Sequence, residues 1–203
     1  MRAVIIANGK VFDYEKIKKY IKKGDYIICA DGGYDHAIKL GVTPDVLIGD
    51  MDSVKSKDLQ VEKIVYPKRK DWTDSEIVID YARGKGFDEL VLLGFTGGRA
   101  DHMLTNIFML ARNADIDMLI ADENSEIKLA KKDNIVFGKK GDIVSIIPIN
   151  GNLENVSTEN LEYPLNTETL YFGEGRGVSN VMTSDKCRIT IGAGQGLIIK
   201  SVD

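Results

Sequence analysis

The chain has 203 residues, 43% of them hydrophobic and 29% charged, with a formal net charge of −4. That is enough for one large or two small soluble domains with a real core. The charge is mixed in sign and evenly divided along the chain, which argues against an extended nucleic-acid footprint. No apolar run approaches the roughly 20 residues of a membrane span.

The start, MRAVIIANGK, reads as a first strand rather than a signal peptide, because its short apolar run breaks at Asn8-Gly9. Strand patterns follow at residues 26–30, 45–49, 63–67, 90–94 and 117–121, short, β-branched-rich and nearly continuously apolar, as where both faces of a sheet are covered. Helical periodicity lies between them, at residues 13–24, 74–86 and 101–114. This alternation predicts a parallel, helix-covered sheet. After Asp122 the rhythm changes to short strand-like segments between turn residues, with Asn150-Gly151 as a hairpin signal, so residues 123–203 read as an all-β unit after an α/β unit at 1–122. Cys29 and Cys187 sit far apart in strand-like runs and form no C-x-x-C, which fits inert thiols in a reducing cytoplasm.

The polar clusters ANGK, ADGG, GDMDS, KRKDWTDSE and TGGRADH each come just past a predicted strand. In a parallel sheet those ends share one edge, where ligands bind, so Asp31, Asp50, Asp52, Asp71, Asp74, Arg99 and Asp101 converge. Asp50 and Asp52, two apart, point to one side of an extended backbone. At about 6 Å and an effective dielectric of about 20 two carboxylates repel by roughly 3 kcal/mol. A divalent cation with hard oxygen ligands offsets this, Mg²⁺ typically joining carboxylates to substrate phosphates. The plain alternative is a pair of turn-forming aspartates. TDSE fits a capping box with Thr73 and Glu76, and Asp74 is favoured in a first helical turn by the dipole alone. Asp101 fits an N-cap, Gly97-Gly98 and Arg99 fit a phosphate contact or an ordinary turn, and Trp72 fits either a base stack or a half-buried anchor. There is neither a P-loop nor a G-x-G-x-x-G fingerprint, and His36 and His102 have no zinc-ligand spacing.

Taken in order, CADGGYDHAIKLGVTPDVLIGDMDSV, KDWTDSEIVIDYA, GFTGGRADHMLTNI and GRGVSN resemble the thiamine pyrophosphokinase (thiamine diphosphokinase) family over nearly the whole chain. The resemblance implies a Rossmann-like, doubly wound N-terminal domain without the dinucleotide fingerprint, binding ATP and Mg²⁺, and a C-terminal β-sandwich binding thiamine. It implies transfer of diphosphate from ATP to the thiamine hydroxyl, giving thiamine diphosphate and AMP, in a homodimer with the thiamine site between subunits. By position, Asp50, Asp52 and Asp74 match the acidic metal ligands. Arg99 and Asp101 match the nucleotide-contacting pair, Asp31 in ADGG lies in a family motif and is counted with Thr73 among the nucleotide-binding residues, and Ser179 and Asn180 match the segment that meets thiamine. Animal and fungal members carry a stacking tryptophan near the C-terminus; here that region reads GAGQGLIIKS. A strand ending in D-x-D also resembles haloacid-dehalogenase-type phosphatases, but here two βα units precede the motif.

Overall fold

The computed structural model describes residues 1–56, 61–67 and 71–201. The chain divides into two compact units, Met1–Glu123 and Asn124–Asp203. The first alternates strand and helix: β1 (Arg2–Ile6), α1 (Tyr14–Lys18), β2 (Tyr26–Ala30), α2 (Gly33–Leu40), β3 (Val46–Gly49), β4 (Glu62–Val65), α3 (Asp74–Gly84), β5 (Glu89–Leu93), α4 (Ala100–Arg112) and β6 (Asp117–Ala121). Its strands run in the order β6-β5-β1-β2-β3-β4, and every pair is parallel.

The nearly continuous apolar strand runs have a simple cause. On one face Val4, Ile6, Cys29, Leu47, Val91 and Leu93 pack against Ile17 of α1 and Tyr34, Ala37 and Leu40 of α2. The alternate residues Ala3, Ile5, Ile28 and Ile48 point the other way and are equally buried. α3 lies against β1, β2 and β3 and buries Ile77, Val78, Ile79 and Ala82. Each large side chain so buried contributes roughly 1.5–3 kcal/mol. The strand order reverses at β1, between β2 and β5, and such a switch point opens a crevice at the strand C-termini.

α1 is shorter than its apolar stripe predicts: past Lys18 the backbone bonds tighten, Tyr20 and Ile21 donating to Ile17 and Lys18, each three residues back. Both side chains still pack on the core, so the stripe recorded burial rather than helix length.

The second unit contains β7 (Ser125–Leu129), β8 (Asp133–Phe137), β9 (Ile143–Pro148), β10 (Leu153–Glu159), β11 (Glu168–Leu170), β12 (Asn180–Val181), β13 (Lys186–Thr190) and β14 (Gly196–Ser201), with no helix among the described residues. Its strands form two antiparallel arrays, β12-β9-β14-β7 and β11-β10-β13-β8. One apolar cluster draws Val144, Ile146 and Ile198 from the first array and Val156, Leu170, Cys187 and Ile189 from the second. Asn150-Gly151 reverses the chain, with Gly151 at φ 80°, but makes no hairpin. β9 pairs with β12 and β14 while β10 pairs with β11 and β13, so the turn carries the chain from one array to the other. No helix is long and apolar enough to cross a membrane, among the described residues.

Candidate active site

A cavity of about 490 Å³ lies over the strand C-termini of the first unit. Its wall comes from the segments after four parallel strands: Ala7, Asn8 and Gly9 after β1, Asp31 after β2, Asp50 and Ser53 after β3, and Gly94 to Thr96 with Gly98 and Arg99 after β5. The first turn of α3 adds Asp74 and Ser75, with Trp72 and Thr73 just before it, and α4 adds His102, Met103 and Asn106.

Asp31 is the most deeply buried carboxylate of this wall. It is 7% exposed, lies in left-handed backbone at φ 44°, and donates its N–H to the Ile48 carbonyl at 3.0 Å. Its Oδ1 accepts the Met51 N–H at 2.9 Å. A β-carbon at Gly49, whose φ is 149°, would stand 1.9 Å from that same oxygen, so only glycine lets the carboxylate lie against the end of β3. The D-x-D segment departs from the extended form its spacing predicts. Met51 is left-handed at φ 66°, and the Asp52 N–H donates to Asp50 Oδ1 at 3.1 Å, an Asx turn. The turn still gathers the acids: ligand oxygens of Asp31, Asp50 and Asp52 lie within 4.8 Å of one another.

Burial raises the Asp31 pKa to about 6, opposed by the Met51 N–H and reinforced by the charge and side-chain hydrogen bond of Asp74 and by the charge of Asp50. A half-hidden set of hard oxygen donors under mutual repulsion fits a divalent cation such as Mg²⁺. The loop bearing these acids is tied down by Asp35 of α2, which accepts from the Lys55 N–H at 2.9 Å, the Ser56 N–H at 3.1 Å and the Ser56 hydroxyl at 2.5 Å. Ser53 Oγ accepts from the Gly32 N–H at 3.2 Å. Neither tie stood out in the sequence, because an aspartate on a helix and a serine in a loop carry no spacing signal.

The capping box on α3 is complete: Thr73 Oγ1 accepts the Glu76 N–H and Glu76 Oε2 accepts the Thr73 N–H. The N-cap of α4 is Arg99, not Asp101, which stands inside the first turn. Arg99 forks onto Asp101 through Nε at 3.1 Å and Nη2 at 2.5 Å, both side chains being largely exposed, and the guanidinium holds the Asp101 carboxyl below its ordinary pKa. Asp101 borders a smaller cavity of about 210 Å³ with Thr73 and His102. Asp71 is exposed and is not part of either wall; residues 68–70 of its cluster lie outside the described residues. Ser179 and Asn180 belong to the second unit. Ser179 is left-handed at φ 58°, and its N–H donates to Ser145 Oγ. Asn180 is buried and fully engaged: its Oδ1 accepts from the Tyr163 and Val181 N–H groups and its Nδ2 donates to the Tyr163 carbonyl at 2.6 Å.

A parallel α/β layer with an acid-lined cavity at its switch point defines an α/β protein of the kind that binds ligands at its strand ends. Residues 17–120 match the family model described as thiamin pyrophosphokinase, catalytic domain, and residues 124–198 match the one described as thiamin pyrophosphokinase, vitamin B1 binding domain. The chain belongs to the thiamin pyrophosphokinase family, a family of enzymes. It is 26% identical to the thiamine pyrophosphokinase of Bacillus subtilis over 98% of each chain, and 27% identical to thiamine pyrophosphokinase 1 of Arabidopsis thaliana over 80% of this chain and 73% of that one. The solved structure of the Bacillus subtilis enzyme shares the fold with a TM-score of 0.87 at 24% identity, each chain fully covered. That of Candida albicans thiamin pyrophosphokinase does so with a TM-score of 0.78 at 17% identity, over 100% of this chain and 89% of the other.

Proposed function

We propose that the chain transfers the diphosphate of ATP to the hydroxyl of thiamine, giving thiamine diphosphate and AMP. The observation that carries this reading is the gathering of Asp31, Asp50 and Asp52 within 4.8 Å, with Asp74 hydrogen-bonded to Asp31, at a cavity whose wall holds Asp31, Asp50, Asp74 and Arg99. The thiamine hydroxyl oxygen forms a bond to the β-phosphorus and the bond to the α,β-bridging oxygen breaks. AMP keeps that oxygen, and the hydroxyl proton passes to the acidic cluster. Such transfers are catalysed chiefly by positioning and charge stabilisation. We assign Mg²⁺ to Asp50, Asp52 and Asp74, and the closeness of Asp31 to Asp50 and Asp52 supports adding it to that set. When bound, the cation would neutralise and orient polyphosphate oxygens.

Arg99, with Asp101 fixing its fork, would meet charge on the departing AMP, and Thr73 at the start of α3 would offer the nucleotide a helix N-terminus. On this reading the first unit is a Rossmann-like, doubly wound nucleotide domain and the second a thiamine-binding β-sandwich. Ser179 and Asn180 lie on the segment that meets thiamine, Asn180 acting through the backbone it braces. The working form is a homodimer with thiamine bound between subunits. Two buried free cysteines support a reducing, cytoplasmic setting.

The test is a product assay with ATP, Mg²⁺ and thiamine, resolved by mass. AMP and thiamine diphosphate are expected together and should disappear with a chelator. ADP with thiamine monophosphate, or inorganic phosphate without a thiamine ester, would overturn the reading.

A further inference from the structure

Trp72 is the single tryptophan of the chain and stands 51% exposed in the wall of the cavity that holds Asp31, Asp50 and Arg99. A tryptophan brings a large apolar area, most of which a stable fold ordinarily covers. This ring is nevertheless held in place. The Arg112 guanidinium lies over it, 5.4 Å from the ring centroid. Arg112 Nη1 is bound by Glu76 Oε1 at 2.6 Å, and the other Glu76 oxygen accepts the Thr73 N–H at 2.9 Å. The ring is therefore braced from the last turn of α4 and the cap of α3 at once, while half its surface stays open.

We propose that Trp72 is the wall on which the purine base of the nucleotide stacks; this rests on the diphosphotransfer reading above. Of the two aromatic substrates in that reaction, the base is the better occupant. The thiazolium ring of thiamine is a cation, and the Trp72 ring already faces the Arg112 cation. A second cation would share the same π density and meet Arg112 repulsion across the ring, whereas a neutral purine meets neither cost. The phosphates that follow the base are anionic, and the same cavity offers them Arg99 and the first turn of α3 with Thr73 and Ser75. The motif position of Trp72, directly before the N-cap of α3, thus joins a base contact to a phosphate contact in two successive residues.

Because the chain has one tryptophan, its emission reports this site alone. Titration with ATP and with AMP is expected to change it saturably, while inorganic tripolyphosphate and thiamine leave it unchanged. Trp72→Leu should raise the KM for ATP about tenfold, the range of one base–aromatic stack, and leave the KM for thiamine within about twofold. Trp72→Phe should recover most of the loss. Circular dichroism of each variant, expected to match the parent, separates binding from folding. An emission response to tripolyphosphate or to thiamine, or an unchanged ATP KM in Trp72→Leu, would overturn the proposal. Failure of the parent protein to form AMP from ATP and thiamine would instead overturn the reaction assigned above, so the two failures are told apart.

Discussion

At the scale of single residues, Asp31 shows the tension on which the site is built. Its folded pKa of about 6 stands above the ordinary 3.8, so between these values the folded state binds more protons than the unfolded chain. Stability therefore falls as pH rises through that window, and the full cost is present above it. In chelator-treated protein, Asp31→Asn should raise the melting temperature at pH 8 and change it little at pH 4. The limit is about 3 kcal/mol, from a shift of roughly two units. The asparagine amide still accepts the Met51 N–H and offers Asp74 a donor, so geometry is kept while the repulsion goes. Melting curves at the two pH values check this. Asp50→Asn should likewise leave the fold intact, since Asp50 is half-buried at a strand end. Turnover in the product assay should fall at least ~100-fold, comparable with losing a strong electrostatic contact.

At the scale of elements, the site depends on how strands end and helices begin. Thr73→Ala removes one half of the capping box and should cost about 1 kcal/mol in a urea melt. Gly49→Ala places a β-carbon 1.9 Å from Asp31 Oδ1 in backbone that disfavours side chains. It should destabilise by about 2 kcal/mol or more and weaken Mg²⁺ binding measured by calorimetry. At this scale sequence pattern was a good guide to type and a poorer one to pairing. The capping box was legible because its two partners are three residues apart. Strands β1, β2, β3 and β5 were legible because both their faces are covered and their apolar runs are unbroken. β8 and β10 were missed: their burial alternates or is mostly polar, since only one face of each meets the core. The geometry of Asp50-Met51-Asp52 was not legible either, because the left-handed Met51 is held by Asp31, twenty residues away.

At the scale of the whole molecule, β8 ends its array with Ile135 50% and Phe137 70% exposed, the kind of edge and apolar surface that a second chain covers in an oligomer. With the proposed homodimer, sedimentation at micromolar concentration should give twice the 22.5 kDa of the chain, and a single-chain mass would remove the shared thiamine site. Local pattern was sufficient for the alternation of β and α up to Asp122, the change to strands after it, and the placing of five polar clusters at strand ends. These follow from short-range periodicity and from the shared direction of parallel strands. What needed the folded chain was the selection within those clusters, Asp31 standing within 4.8 Å of Asp50 and Asp52 while Asp71 stays outside the wall, together with the tie of Asp35 to their loop, the passage of Asn150-Gly151 between arrays and the bracing of Trp72 by Arg112. Each of these depends on groups distant along the chain meeting in space, where burial and charge, not local pattern, set the outcome.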